Sequence, residues 1–228
     1  MESGQAPFRG VVAVDGPSGS GKSTVSRRLA GQLGARYLDT GAMYRALTWA
    51  VLQASVDPHD ADAVLKVMSD TRVEVVADPE SPGIAVNGVA VDGPIRSLEV
   101  TGAVSTVAAV SGVRSALVAE QRRIIGGPDR PSGIVVEGRD IGAVVAPGAQ
   151  LKVYLTASEG ERARRRSAEH AADLQATAAD LARRDKVDST RAVSPLHQAS
   201  DAVVLDTTEL GIDAVVAQLR RLLRERGE

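Results

Sequence analysis

Residues Gly16-Pro17-Ser18-Gly19-Ser20-Gly21-Lys22-Ser23, followed by Thr24, form an uninterrupted G-x-x-x-x-G-K-[ST] run. Glycines at these intervals let successive backbone N–H groups turn into one concave nest, and a helix starting there adds the positive end of its dipole. Lys22 supplies a cation near the β- and γ-phosphates of a nucleoside triphosphate, and the Ser23 hydroxyl is a hard oxygen ligand suited to Mg²⁺. The carboxylate that usually completes such a site ends an apolar strand. Ile134-Val135-Val136-Glu137 offers one, although a solvated glutamate at a strand end reads the same way.

A second group lies one helix further on. Leu38-Asp39-Thr40-Gly41-Ala42-Met43-Tyr44-Arg45 places Thr40 at a helix start and Arg45 about one turn in, where they could hold another phosphate. A surface arginine is the plainer reading of Arg45. A GTP switch is disfavoured, because neither D-x-x-G nor N-K-x-D occurs and Asn87, the only asparagine, precedes a glycine.

These groups need strand, turn and helix in succession. Residues 11–14 are an apolar run stopped by Asp15 and the glycine-rich turn, and residues 23–33 show helical spacing. Leu38 marks another short strand, with a helix over about 41–54. Apolar runs at 134–136, 151–155 and 202–205 alternate with helical patterns, which predicts a mostly parallel sheet wrapped by helices. Between about 56 and 95 the rhythm changes. Residues 71–77 alternate, 78–83 read as a loop, and 84–86 join 89–91 through Asn87-Gly88, so an antiparallel insert is expected. Helical segments over about 98–110 and 113–125 lead back to the sheet.

Composition narrows the partners. The 228 residues carry 27 Lys+Arg against 29 Asp+Glu, a net charge of −2, and only 2% are aromatic. There is no broad basic field and there are few stacking platforms, so nucleic acid is not the expected ligand. The absence of cysteine excludes disulfides, thiolate metal sites and a cysteine nucleophile, and fits a reducing compartment. Residues 1–14 match neither a secretory nor a transit signal. The longest apolar stretch, 102–118, is interrupted by Arg114 and serines, so no membrane span is expected and the cytoplasm is the expected location. His59, His170 and His197 are scattered without ligand spacing. Only four residues are lysine; the excess of arginine suits phosphate recognition, and a base-composition bias would produce it too.

The sequence resembles the bacterial cytidylate kinases from the phosphate loop to the last strand. The resemblance is carried by Asp15 to Lys22, Leu38 to Arg45, Glu137-Gly138-Arg139-Asp140-Ile141-Gly142 and Arg191-Ala192-Val193-Ser194-Pro195-Leu196. It implies an α/β phosphate-loop NTPase fold in three layers, with a five-stranded parallel sheet. The core domain would comprise residues 1–39 and 126–228, with a short lid at about 158–186. Residues 40–125 would form the acceptor-nucleotide domain, with a three-stranded insert at about 71–91. The implied reaction is transfer of the γ-phosphate of MgATP to CMP, and to dCMP, by a monomer. A kinase for another small acceptor such as UMP, or a nucleotide-dependent interaction module, would share the loop alone.

Carried over by motif, Arg45, Arg139 and Arg191 are the arginines that hold the acceptor phosphate, Ser105, Arg114 and Asp140 read cytosine, and Arg184 with Asp188 contacts the sugar. Lys22, Arg139, Arg191 and the lid residue Arg162 would act on the phosphoryl group in transit, with Ser23 and Glu137 on the metal side. Arg162 shares a helix face with Arg165 and Arg166, a face that could close over ATP or stay solvated. Asp188 and Arg184 could equally form a helical i, i+4 ion pair. Three positions depart from the family's pattern: glutamate stands at 137, where aspartate is commoner, threonine stands at 40, where serine is common, and Ala143 replaces a hydroxyl residue.

Overall fold

A computed structural model describes residues 8–127, 132–170, 173–190, 196 and 198–227. The chain runs β1 (Val11–Asp15), α1 (Lys22–Leu33), β2 (Arg36–Asp39), α2 (Thr40–Gln53), α3 (Ala61–Ser69), β3 (Val73–Val76), β4 (Gly83–Val86) and β5 (Val89–Ala90). A 3₁₀ turn (Pro94–Arg96) then leads into α4 (Leu98–Ala109), α5 (Ser111–Gly126), β6 (Ile134–Gly138), a π-helical turn (Ile141–Val145) and β7 (Leu151–Thr156). The chain finishes with α6 (Glu159–His170), α7 (Leu174–Thr190), β8 (Val203–Asp206) and α8 (Ile212–Glu225).

Five strands pair in parallel in the order β2-β6-β1-β7-β8, so the strand that precedes the phosphate loop is central. Parallel strands are covered on both faces, and their side chains sort by alternation. Val12 and Val14 of β1, with Tyr37, Val135 and Val153, face α1 and α8 through Val25, Leu29, Val216, Leu219 and Leu223. Ala13, Leu38 and Val136 face the other way, onto Met43, Leu47, Val104, Val107 and Leu117 of α2, α4 and α5. Each fully buried aliphatic side chain here contributes about 1.5–3 kcal/mol.

The insert is present as an antiparallel sheet β3-β4-β5, turned at Asn87-Gly88, where both residues have positive φ. It is not wholly antiparallel strand. Helix α3 occupies 61–69, started by Asp60, whose side chain accepts from Ala63 N. Val64 of α3 and Ile84 and Val86 of β4 belong to the core cluster that α2 and α4 form, which ties the insert to the domain below it. The segment expected as a lid at about 158–186 contains α6 and α7, with α7 running to Thr190, four residues beyond 186. Among the described residues no single helix is long and apolar enough to cross a membrane.

Candidate active site

The phosphate loop leaves β1 with two glycines in conformations that other residues rarely adopt. Gly16 has φ +147°, and a Cβ there would lie 2.0 Å from the Leu155 carbonyl oxygen; Gly19 has φ +78°, and a Cβ would lie 2.8 Å from the Arg162 carbonyl oxygen. The loop can pass between β7 and α6 only because both lack side chains. The Ser20 hydroxyl and Lys22 Nζ both donate to the Pro17 carbonyl, at 3.0 and 2.7 Å, closing the loop on itself. α1 begins at Lys22 without any side-chain cap, so its leading N–H groups are available to an anion. Burial, then Arg139, push the Lys22 ammonium down to about 7, and burial, then Asp39, push the Glu137 carboxyl up to about 7.

Glu137 is the next-to-last residue of β6, where its Oε2 accepts from Ser23 Oγ at 3.0 Å and its Oε1 accepts from the Tyr37 hydroxyl. A hydroxyl and a carboxylate together offer hard oxygen donors for a divalent cation. The described residues contain no group of three or more His, Cys, Asp or Glu able to hold a metal alone, so waters and phosphates must complete any coordination shell.

A cavity of about 190 Å³ opens above the loop, lined by Lys22, Arg45, Arg114, Arg139, Asp140 and Arg184, with Thr40, Ser105 and Asp188 on its wall. Arg45 donates to Thr101 Oγ1 at 3.0 Å and to the Ile95 carbonyl at 3.4 Å. Burial and the nearby Arg184 and Arg166 hold its guanidinium down to about 9. Burial and Arg139 hold that of Arg184 down to about 10, and its Nε and Nη1 have no hydrogen-bond partner among the described residues. Arg139 donates to Asp188 Oδ2 at 2.9 Å and to the Gly16 carbonyl at 2.8 Å, linking β6 to α7 and to the loop. Four guanidiniums, of Arg45, Arg139, Arg166 and Arg184, thus repel one another in a partly dry space, an arrangement that an anionic guest relieves.

On the far wall Arg114 Nη2 donates to Asp140 Oδ2, and the Arg114 guanidinium lies 5.3 Å over the Tyr44 ring. Both residues of this pair are buried. Ser105 Oγ donates to Asp188 Oδ1 at 3.4 Å, so residues 83 apart in sequence meet here. A larger cleft of about 760 Å³ adjoins the cavity between α1 and the insert, bridged by Arg27, which donates to the carbonyls of Pro79 and Glu80 at 2.6 and 2.8 Å.

The structure brings together nearly every residue singled out in the sequence. Arg191 lies outside the described residues. The Thr40 hydroxyl is committed as a donor to the Glu137 carbonyl at 2.7 Å, so it offers the cavity only acceptor lone pairs. The three lid arginines divide: Arg162 is buried and donates to Ser18 O at 3.2 Å and to Asp185 Oδ2 at 2.5 Å, Arg165 turns to Thr207, and Arg166 lines the cavity. They leave a shared helix face in three directions.

Asp15, the residue before the loop, has a place that its spacing did not reveal. Its Oδ1 and Oδ2 accept from Ile141 N and Gly142 N, both at 2.8 Å, fixing the π-helical turn that follows Arg139 and Asp140. Burial pushes its carboxyl up to about 6 from an ordinary 3.8. The folded state therefore keeps a proton that the unfolded chain has released. Stability from this group is complete below about 4 and declines as pH rises through about 6, by roughly 3 kcal/mol in all. Between pH 4 and 6 the melting temperature of the wild-type protein should fall relative to that of Asp15→Asn. Parallel curves for the two proteins would remove Asp15 as the source.

A parallel sheet with an uncapped phosphate loop on its central strand, facing a cluster of arginines, defines a phosphate-loop phosphotransferase. Two solved structures share the fold: a sugar kinase from Janibacter sp. HTCC2649, with TM-score 0.50 and 15% identity over 96% of this chain and 95% of that one, and an uncharacterized protein from Eubacterium ventriosum ATCC 27560, with TM-score 0.53 and 8% identity over 95% and 99%. The cytidylate kinase family model matches residues 12–225. Cytidylate kinases of Mycolicibacterium paratuberculosis and Rhodococcus opacus are 50% and 52% identical, covering 96% and 95% of this chain and the same shares of their own; that of Geobacillus kaustophilus is 45% identical over 94% of this chain and 96% of its own. The chain belongs to the cytidylate kinase family.

Proposed function

We propose that the protein transfers the γ-phosphate of ATP to CMP, and to dCMP, with Mg²⁺ as the metal. The observation that carries this reading is the meeting of the uncapped loop with the arginine cluster in one cavity, which provides separate cradles for a donor and an acceptor anion. The loop N–H groups and Lys22 hold the donor phosphates. Arg45, Arg139 and Arg191 hold the acceptor phosphate, which is already ionised, so no strong general base is needed. Repulsion between the two polyanions is offset by these cations, and the remaining barrier is lowered by positioning. Ser23 and Glu137 would hold Mg²⁺, which when bound would neutralise phosphate charge.

Cytosine recognition is assigned to Asp140 and Arg114, with Ser105 beside them. The N4 amino group of cytosine donates to a carboxylate, and its O2 and N3 accept from a guanidinium. Uracil presents an acceptor where cytosine presents the amino group, and would oppose two acceptors in a dry site. Arg184 and Asp188 face the sugar. Residues 40–125 act as the acceptor domain on a core made of 1–39 and 126–228, and α6 and α7 close as a lid to exclude water. The same reading takes the enzyme as a cytoplasmic monomer that uses no membrane or nucleic acid; its balanced charge and few aromatics support the last of these.

A panel of nucleoside monophosphates in an ADP-release assay tests the proposal. CMP and dCMP should turn over far faster than UMP or AMP, and equal rates with UMP and CMP would defeat the cytosine assignment. The unpaired nitrogens of Arg184 give a further expected result. Arg184→Leu removes a poorly satisfied buried charge, so the nucleotide-free protein should melt about 2–4 °C higher per kcal/mol relieved, while KM for CMP rises by about tenfold. An unchanged KM in steady-state kinetics would show that this guanidinium does not meet the acceptor.

A further inference from the structure

Tyr37 stands on β2 opposite Val135 of β6, and Glu137 lies two residues further along β6 on the same face of the sheet. The phenol reaches along that face to donate to Glu137 Oε1, while Ser23 on α1 donates to Oε2 at 3.0 Å. Each carboxylate oxygen is therefore held by a different element. The Tyr37 ring is buried in the cluster under α1 and α8. Packing alone does not require that hydroxyl, since a phenylalanine would fill the same space without a polar tip to satisfy.

The length of the acidic side chain matters here. Glutamate has one more rotatable bond than aspartate, and a carboxylate on a longer arm reaches more positions unless a second point fixes it. Ser23 cannot be that point by itself, because it is also the hydroxyl offered to the metal.

We propose that Tyr37 is a positioning residue for the metal-side carboxylate: its hydroxyl fixes the Glu137 arm so that Oε2 is presented beside Ser23 at the start of α1. Tyr37 touches neither nucleotide and acts only through Glu137. The proposal deepens the phosphoryl-transfer reading above and rests on it.

Tyr37→Phe removes the hydroxyl and keeps the ring. Mn²⁺ binding is measured directly, by the electron paramagnetic resonance signal of the free ion, with the protein and a non-reactive ATP analogue present. Loss of a group that orients a ligand weakens metal binding by about tenfold or more, so Tyr37→Phe should bind Mn²⁺ about tenfold more weakly and need correspondingly more Mg²⁺ for half-maximal rate, with KM for CMP nearly unchanged. In a Glu137→Asp background, whose shorter arm the phenol does not hold in this way, adding Tyr37→Phe should change Mn²⁺ affinity by less than about twofold. Equal Mn²⁺ affinity in the wild type and Tyr37→Phe, or the same loss in both backgrounds, would overturn the proposal. If the wild type fails to phosphorylate CMP, the parent reading fails, while the Mn²⁺ affinities still decide what Tyr37 does.

Discussion

Lys22→Met should lower kcat by about a thousandfold, roughly 4 kcal/mol of transition-state stabilisation, without lowering the melting temperature. The methionine keeps most of the buried stem and removes the charge. In the nucleotide-free protein that charge is held at a disadvantage: Lys22 is buried, its ammonium is pushed down to about 7 by burial and then by Arg139, and its hydrogen bond goes to the Pro17 carbonyl. A triphosphate reverses this balance, because negative oxygens beside Nζ favour the charged form. The lysine is thus poised to gain most where charge gathers on the phosphoryl group in transit. KM for ATP should rise far less than kcat falls, since the loop N–H groups still hold the ground state. Rapid-quench turnover on the purified variant measures this, and a kcat within about threefold of wild type would take Lys22 out of the mechanism.

Asp140→Asn should lower the CMP/UMP ratio of kcat/KM by about a hundredfold, mainly by raising KM for CMP. The carboxylate can only accept, and that restriction is what opposes uracil. An asparagine offers either an acceptor or a donor, so discrimination weakens while shape is kept. Alanine is the less informative replacement. Asp140 and Arg114 are both buried and paired; either replacement removes the counter-charge, at a cost of up to about 3–5 kcal/mol to the fold, but asparagine keeps an oxygen that can accept from Arg114 Nη2, whereas alanine leaves the guanidinium with neither charge nor acceptor there. Competition between CMP and UMP in one reaction reads the ratio directly; a ratio within about twofold of wild type would show that another residue reads the base.

How much of this was legible in the sequence depended on how local each feature is. The phosphate loop is eight consecutive residues whose glycines set their own backbone, so its place between β1 and α1 could be read directly. The hairpin at Asn87-Gly88 was legible for the same reason. Helix α3 was missed although Asp60, followed by Val64, Leu65, Val67 and Met68, carried the signal of a capped helix; the alternating residues next to it drew the whole segment toward strand. The π-helical turn at Ile141–Val145 had no such signal, because it is held by Asp15 from more than a hundred residues away.

The site divides along the same line. The positions of Ser105 against Asp188, Arg114 against Asp140, and Tyr37 against Glu137 follow from tertiary packing, and no spacing in the chain announces them. For the first two pairs only the resemblance to a known family pointed to the residues, and for Tyr37 nothing did. The lid arginines show the converse limit. Arg162, Arg165 and Arg166 are neighbours on one helix, yet Asp185, Thr207 and the cavity draw them three ways.

Direct passage of one phosphoryl group between two bound nucleotides is the claim on which the rest depends. A single-turnover reaction with γ-labelled ATP and CMP, quenched through its time course, tests it most directly. The label should pass one for one into CDP as ADP appears, with none on the protein and little in inorganic phosphate. Label held covalently on the protein, or released as phosphate at the same rate with and without CMP, would contradict the account.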